Sequence, residues 1–409
     1  MDTKRKIIND PVFGFVNIPD EFIFWIINHP YVQRLNRIKQ LGLAFFVYPG
    51  AVHSRFHHSL GAMYLMSEAI DQLRSNGHPI SDKEKSGAMA CILMHDIGHG
   101  PFSHALENTI VKDIHHEEIS LLLMNRMNRE LNGKLDLAIA IFRDTYPKRF
   151  LHQLVSGQLD VDRLDYLRRD SFFTGVTEGN IGSARILKML NLKNDKLVIE
   201  VKGIYSIENF LMARRLMYWQ VYLHKTAVAA EKMLINTLRR AKSLAAQGVE
   251  LNVTPALRFF LYNMVDKTTF ENHPEALDFF VDLDDNDIWC ALKAWEKHPD
   301  KVLSLLCRGL VNRNLFKIEV SQAPIHQDII MEKIAMYART YNLSPEEASY
   351  LISSDAISTD MYREEDDSIA ILYKDGTIKD ISEASDMLNI QLLSKKIVKY
   401  YLCFLRDSK

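Results

Sequence analysis

Imidazoles and carboxylates crowd one stretch of this chain. It runs His53-Ser54-Arg55-Phe56-His57-His58 and resumes, after an intervening segment, at Met94-His95-Asp96-Ile97-Gly98-His99-Gly100-Pro101-Phe102-Ser103-His104. Imidazole and carboxylate groups are ligands for divalent metals of intermediate hardness. A lone histidine on an apolar helix is ordinary core. A cluster mixed with Asp, Arg and Gly would bury several polar groups together, which is costly unless they are paired or hold a metal. His95 and Asp96 are neighbours at a predicted helix end, so both reach one ion if it sits at that terminus. His58, flanked by Arg55 and Ser59, is a candidate third ligand. A fourth could come from Leu159-Asp160-Val161-Asp162-Arg163-Leu164-Asp165-Tyr166. Asp162 and Asp165, three apart, share a helix face there, whereas Asp160 and Asp162 do not. Two His and two Asp leave positions open on an octahedral ion, a hydrolase layout. These residues alone would equally serve a phosphomonoesterase or a phosphodiesterase.

The elements that must position them are mostly helical. Apolar residues recur at helical spacing from about 58 to 75 (Leu60, Met63, Tyr64, Ile70, Leu73). A second helix runs from about 82 into the His-Asp pair, with Ala88, Cys91, Ile92 and Met94 on its apolar side, and Gly98, Gly100 and Pro101 end it. Helical patterns follow near 116–129, 149–157, 160–170 and 182–191, and one long helix is expected over about 206–246. Leu197–Val201 reads as an isolated strand. The pattern changes near 312. Strand-like runs at 316–320, 369–373 and 397–404 alternate with helices near 326–341 and 345–353. The fold class expected is therefore mainly α, with a helical domain over 1–312 and a small α+β subdomain over 313–409. Glu364–Asp367 is expected to be a solvated turn.

Composition narrows the function classes. The chain has 409 residues, is 47% hydrophobic and 25% charged, and carries a formal net charge of −2. That balance is ordinary for a globular protein and gives no global basic field for nucleic acid or membranes. The four cysteines form no CxxC pair, so a reducing, cytoplasmic setting is expected. No apolar run approaches the roughly 20 residues of a membrane helix, and the charged N-terminus has no signal-peptide pattern.

The order His58…His95-Asp96…Asp162 resembles the signature of the HD-domain metal-dependent phosphohydrolases. Pro49–Gly61, His95–His104, Asp160–Tyr166 and Tyr222-Leu223-His224-Lys225 are similar to the deoxynucleoside triphosphate triphosphohydrolase branch, clearly over about 7–240 and weakly beyond 310. The resemblance implies an HD helical core, with its motifs over about 50–175. It implies one divalent ion per chain (Mn, Fe, Co, Ni, Zn or Mg), held by His58, His95, Asp96 and Asp162, with Mg accompanying the nucleotide. It gives Arg55 a substrate phosphate, and His99, His104 and His116, with Asp96, the catalytic positions near the α-phosphate. Gln40 and Asp170 match readers of the sugar 3′-hydroxyl, Tyr166 the aromatic against the deoxyribose, and Arg214 and Tyr222 further phosphate and nucleoside contacts. Arg163 stands where the branch often has Lys. His53 and His57 are expected to be structural or peripheral, and His115 a solvated helix residue.

The chemistry suits these residue types. A nucleoside triphosphate carries about four negative charges, which calls for a metal and several cations. A histidine near its unperturbed pKa of about 6.5 exchanges protons at neutral pH. The resemblance further implies water attack at the α-phosphorus, release of triphosphate and deoxynucleoside, and a homodimer or homotetramer. Some members take an activating guanine nucleotide. Asn28 and Asn36 depart from that site's pattern, so guanine activation is expected to be altered or missing. A two-metal phosphodiesterase, using His99, His104 and His116 for a second ion, and a nucleotide-binding regulatory protein are the alternatives.

Overall fold

The computed structural model describes residues 6–102, 109–359, 368–386 and 397–406. Three helices frame the His-Asp stretch. Arg55–Ser75 lies between Asp82–Met94 and Val161–Thr174 and packs along both. Asp82–Met94 starts at a capping box, where Ser81 and Glu84 bond each other's backbone N–H. Every residue from Gly87 to Met94 is buried, not one face alone, as befits a core helix. Val161–Thr174 starts with the Asp160 carboxylate accepting from the Arg163 N–H at 2.7 Å, and ends at Gly175 in the left-handed region.

Helices also occupy His116–Glu130, Phe150–Val155 and Ser183–Lys188, each within a few residues of its expected bounds. The long helix expected over 206–246 is two helices, Ile204–Met217 and Lys225–Ala246. Between them the backbone widens into a π-turn over Tyr218–Tyr222, and His224 caps the second helix by accepting from the Thr226 N–H. Apolar periodicity runs through that break, because both halves bury residues on the same core. The break swings Tyr218 and Tyr222 beside Tyr166.

The expected strand at 197–201 forms at Lys196–Glu200, but it is not isolated. It pairs antiparallel with Leu190–Lys193 and parallel with Ala370–Leu372, which in turn pairs with Ile378–Asp380. The helix expected to 353 stops at Ser349, and Ile352–Thr359 is a strand. The Asn236 amide holds that turn by donating to the carbonyls of Tyr350 and Ile352, both at 2.9 Å. Ile352–Thr359 and Lys317–Ser321 flank Ile397–Phe404 in a three-stranded antiparallel sheet. The molecule is thus mainly α with a smaller C-terminal α+β region. The acidic run 364–367 lies outside the described residues.

Candidate metal centre and active site

Three helices deliver four groups to one point. His58 comes from Arg55–Ser75, His95 and Asp96 from the end of Asp82–Met94, and Asp162 from the first turn of Val161–Thr174. His58 Nε2 lies 3.1 Å from Asp162 Oδ1, 3.4 Å from His95 Nε2 and 3.8 Å from Asp96 Oδ2. His95 Nε2 lies 3.2 Å from Asp96 Oδ1 and 3.6 Å from Asp162 Oδ1.

The far nitrogens decide what this point needs. His95 Nδ1 donates to the Ile92 carbonyl at 2.6 Å, and a carbonyl can only accept. His58 Nδ1 donates to Asp165 Oδ2 at 2.7 Å. Each neutral ring then presents a lone pair at Nε2, so two nitrogen acceptors and two carboxylates converge with no donor among them. HD domains bind divalent cations, and His58, His95 and Asp162 can hold one, with Asp96 beside them. Without a cation the carboxylates draw a second proton onto the rings instead. Burial alone would lower the His58 imidazole, yet Asp162 and Asp165 push it up to about 10. Burial likewise opposes the His95 charge, and Asp96 and Asp162 outweigh it.

Beside this point lies a second group, Asp96, His99 and His116. His99 Nε2 is 3.4 Å from Asp96 Oδ1, and its ring stacks on His116 at 3.8 Å between centroids. Burial and then the Arg55 guanidinium hold His99 well below the ordinary histidine range, so it is neutral at pH 7. Arg55 donates to Asp96 Oδ2. The two histidines border a small cleft lined by Ile110, Ile114 and Phe280.

Ser120, which the sequence does not single out, joins the two groups. Its hydroxyl donates to the His95 carbonyl at 2.7 Å and accepts from the Gly98 N–H at 2.9 Å, tying the His-Asp turn to the helix that carries His116. A Cβ on Gly98 would sit 2.1 Å from the His116 carbonyl oxygen, so only glycine lets these backbones approach. The three candidate acids separate by position. Asp162 faces the point of convergence, Asp165 stands behind His58, and Asp160 caps its helix.

The remaining expected site residues spread outward. Asp170 accepts from the Tyr222 hydroxyl at 2.8 Å and pairs with His53 Nε2 at 2.7 Å, while the His53 ring stacks on Phe173. Tyr222 and Tyr166 meet edge to face at 6.1 Å. Arg163 bonds Asp160 and the Gly157 carbonyl, and Arg214 donates to Gln158 at 3.2 Å. Four groups of this outer region keep a buried polar atom with no partner: Gln40 Oε1, His53 Nδ1, Arg163 Nε and Arg214 Nε. His57 is structural, its Nδ1 accepting from the Ser54 N–H that opens its helix. His104 lies outside the described residues.

A helical core converging two imidazoles and two carboxylates beside a stacked histidine pair defines a class, the metal-binding helical hydrolases. The HD domain family pattern matches residues 55–170 and the HD associated region pattern matches 181–252. A crystal structure of a phosphohydrolase from Bacteroides thetaiotaomicron is 66% identical, with a TM-score of 0.96 over 98% of this chain and 100% of that one. An uncharacterized Bacillus subtilis protein is 32% identical over 99% of this chain and 93% of its own. The Dictyostelium discoideum homologue of the deoxynucleoside triphosphate triphosphohydrolase SAMHD1 is 30% identical over 58% of this chain, which spans about half (49%) of that relative. The chain belongs to the HD-domain phosphohydrolases and is a hydrolase of that family.

Proposed function

We propose that this protein hydrolyses deoxynucleoside triphosphates to deoxynucleoside and triphosphate. The observation that carries the reading is the graded surround of the acceptor cluster. Next to the converging acceptors His58, His95 and Asp162 stand Asp96, Arg55 and the neutral His99, and beyond them Gln40, Arg163 and Arg214 keep buried polar atoms unpaired. Orphaned buried polar atoms are costly, and a polar, anionic ligand with a hydroxylated sugar would satisfy them. The similarity to the SAMHD1 homologue favours a nucleoside triphosphate over other phosphate esters.

His58, His95, Asp96 and Asp162 would hold a divalent ion, which would supply Lewis acidity toward water and phosphate. The protein's own groups do the rest. Arg55, whose fork suits phosphate, holds the polyphosphate against the cluster. His99, kept neutral, takes the proton of the attacking water as its oxygen pair enters the α-phosphorus. The bond to the sugar O5′ breaks with its pair on oxygen, and that oxygen takes up a proton from His116 or His104. Asp170, braced by Tyr222 and His53, and Gln40 address the 3′-hydroxyl; Tyr166 flanks the sugar. Arg163 and Arg214 extend the cationic side toward the outer phosphates. The free cysteines and the family's oligomeric members support a reducing, cytoplasmic homodimer or homotetramer. Among the described residues no helix is long and apolar enough to cross a membrane.

The test incubates metal-supplemented protein with each dNTP and NTP and separates the products by chromatography. Tripolyphosphate and deoxynucleoside are expected; diphosphate with monophosphate, or orthophosphate, overturns the reading. The second reading, a two-metal phosphodiesterase, rests on the Asp96, His99 and His116 group. Two ions per chain by elemental analysis would favour it over the single ion expected.

A further inference from the structure

The metal ligand His58 is not oriented by one carboxylate alone. Asp165, whose Oδ2 receives the His58 Nδ1 proton at 2.7 Å, is gripped by Arg169, with Nε 2.9 Å from Oδ2 and Nη2 2.9 Å from Oδ1. The remaining arm of the guanidinium, Nη1, donates to Asp10 Oδ2 at 2.8 Å. Asp10 belongs to the N-terminal hairpin formed by Lys6–Asp10 and Gly14–Ile18, far away in sequence. Its other oxygen accepts from the N–H groups of Val12 and Phe13 at 2.8 and 2.9 Å, so the hairpin turn itself fixes the carboxylate. Asp165, Arg169 and Asp10 are almost wholly buried. The arrangement leaves no slack. A Cβ on Gly61, one turn along from His58, would fall 2.0 Å from Asp165 Oδ1 and 2.1 Å from Arg169 Nη2. The helix carries a glycine where the ion pair presses against its backbone.

We propose that Asp10 is a positioning residue for the metal centre, holding His58 in its metal-binding tautomer and direction through Arg169 and Asp165. The inference rests on the metal-dependent reading of the site and extends it to the hairpin. Arg169 needs two carboxylates to place its planar fork; without Asp10 one arm is a buried, unpaired donor, and the guanidinium turns to recover a partner. Asp165 follows it, and the His58 ring loses the acceptor that fixes its Nδ1 proton. Outer partners of metal-bound histidines contribute about 10–100-fold to metal affinity or activity. Asp10 stands further out than Asp165, so its effect falls at the lower end, about tenfold.

The experiment uses the full chain, stripped of metal, as wild type, Asp10→Asn and Val16→Ala. Asn at position 10 keeps an oxygen for the Val12 and Phe13 N–H groups but turns an amide toward Arg169. Val16→Ala hollows the same hairpin at a fully buried residue that carries no charge and pairs across the strands with Ile8. Cobalt(II) is titrated calorimetrically and its visible spectrum recorded, alongside the melting temperature of each metal-free protein. Asp10→Asn is expected to weaken cobalt binding about tenfold and change the ligand-field bands, and Asp10→Glu to recover part of both. Val16→Ala is expected to lower the melting temperature with affinity and spectrum unchanged. Equal affinity in wild type and Asp10→Asn, or equal losses in Asp10→Asn and Val16→Ala, overturns the proposal. If Asp10→Asn does not fold, Arg169→Lys takes its place, because it keeps the charge and loses the fork. It is expected to weaken cobalt binding and shift the bands in the same way, and unchanged affinity in that variant overturns the proposal equally. A wild-type protein that binds no cobalt overturns the metal reading itself, a result distinct from either.

Discussion

The metal point and the outer substrate side are built on opposite principles. At the metal point, each imidazole's far nitrogen is committed: His95 to the Ile92 carbonyl, His58 to Asp165 and thence to Arg169 and Asp10. Unmet demand is focused on the inward-facing Nε2 atoms and carboxylates. On the outer side, Arg163 and Arg214 are each held by an arm while their Nε atoms stay unpaired in the interior, as does Gln40 Oε1. One region has its outer nitrogens committed; the other keeps unpaired buried atoms, which on the proposed reading a ligand would complete. The difference teaches where rate and where affinity for substrate should reside.

Four substitutions can break or sharpen that contrast. His95→Ala or Asp162→Ala should abolish stoichiometric metal and cut hydrolysis by at least about a thousandfold, roughly 4 kcal/mol in barrier. Metal content and turnover are read together; activity surviving metal loss would refute the division. Asp165→Ala removes the orienter of His58 and strands Arg169. Metal affinity should fall about 10–100-fold, and denaturant unfolding should show a loss of about 3–5 kcal/mol for the uncompensated buried charge. Arg214→Ala should raise KM for the nucleotide about tenfold, near 1.4 kcal/mol, with metal affinity and kcat nearly unchanged. If it lowered metal affinity instead, the two regions would not be separable.

The smallest effect belongs to a distant carboxylate. Burial alone would raise Glu84, but Lys148, the Ser81 N–H and Tyr146 hold it down at about 2. A depressed carboxyl stabilises the folded state above its unfolded pKa of about 4.3 and loses that contribution as pH falls toward 2. Glu84→Gln should therefore cost about 1 kcal/mol at pH 7, discounted for solvent screening, with the gap closing between about pH 4.5 and 2. Metal binding should not change. A gap that is constant with pH would show that the charge is not what stabilises.

The sequence exposed the metal point better than what supports it. His58, His95 and Asp96 could be picked out because their residue types are conspicuous and each sits at a predictable place on a helix; Asp162 is singled out only by the resemblance to the HD family. The same local logic leaves Asp160, Asp162 and Asp165 as alternatives, since only the packing of Arg55–Ser75 against Val161–Thr174 separates ligand, orienter and cap. Asp10 and Ser120 carry no local signal at all; their roles come from contacts 159 and 22 residues away. Helical periodicity finds most helices yet passes through the Tyr218–Tyr222 turn, because a π-turn does not interrupt the apolar pattern. Leu197–Val201 reads as a lone strand because its parallel partner, Ala370–Leu372, lies far along the chain.

The most direct test of the central claim is anomalous diffraction from crystals of manganese-loaded protein. The account predicts one strong peak within bonding distance of His58 Nε2, His95 Nε2, Asp96 and Asp162. A peak held only by Asp96, His99 and His116, or none between the two imidazoles, would contradict it.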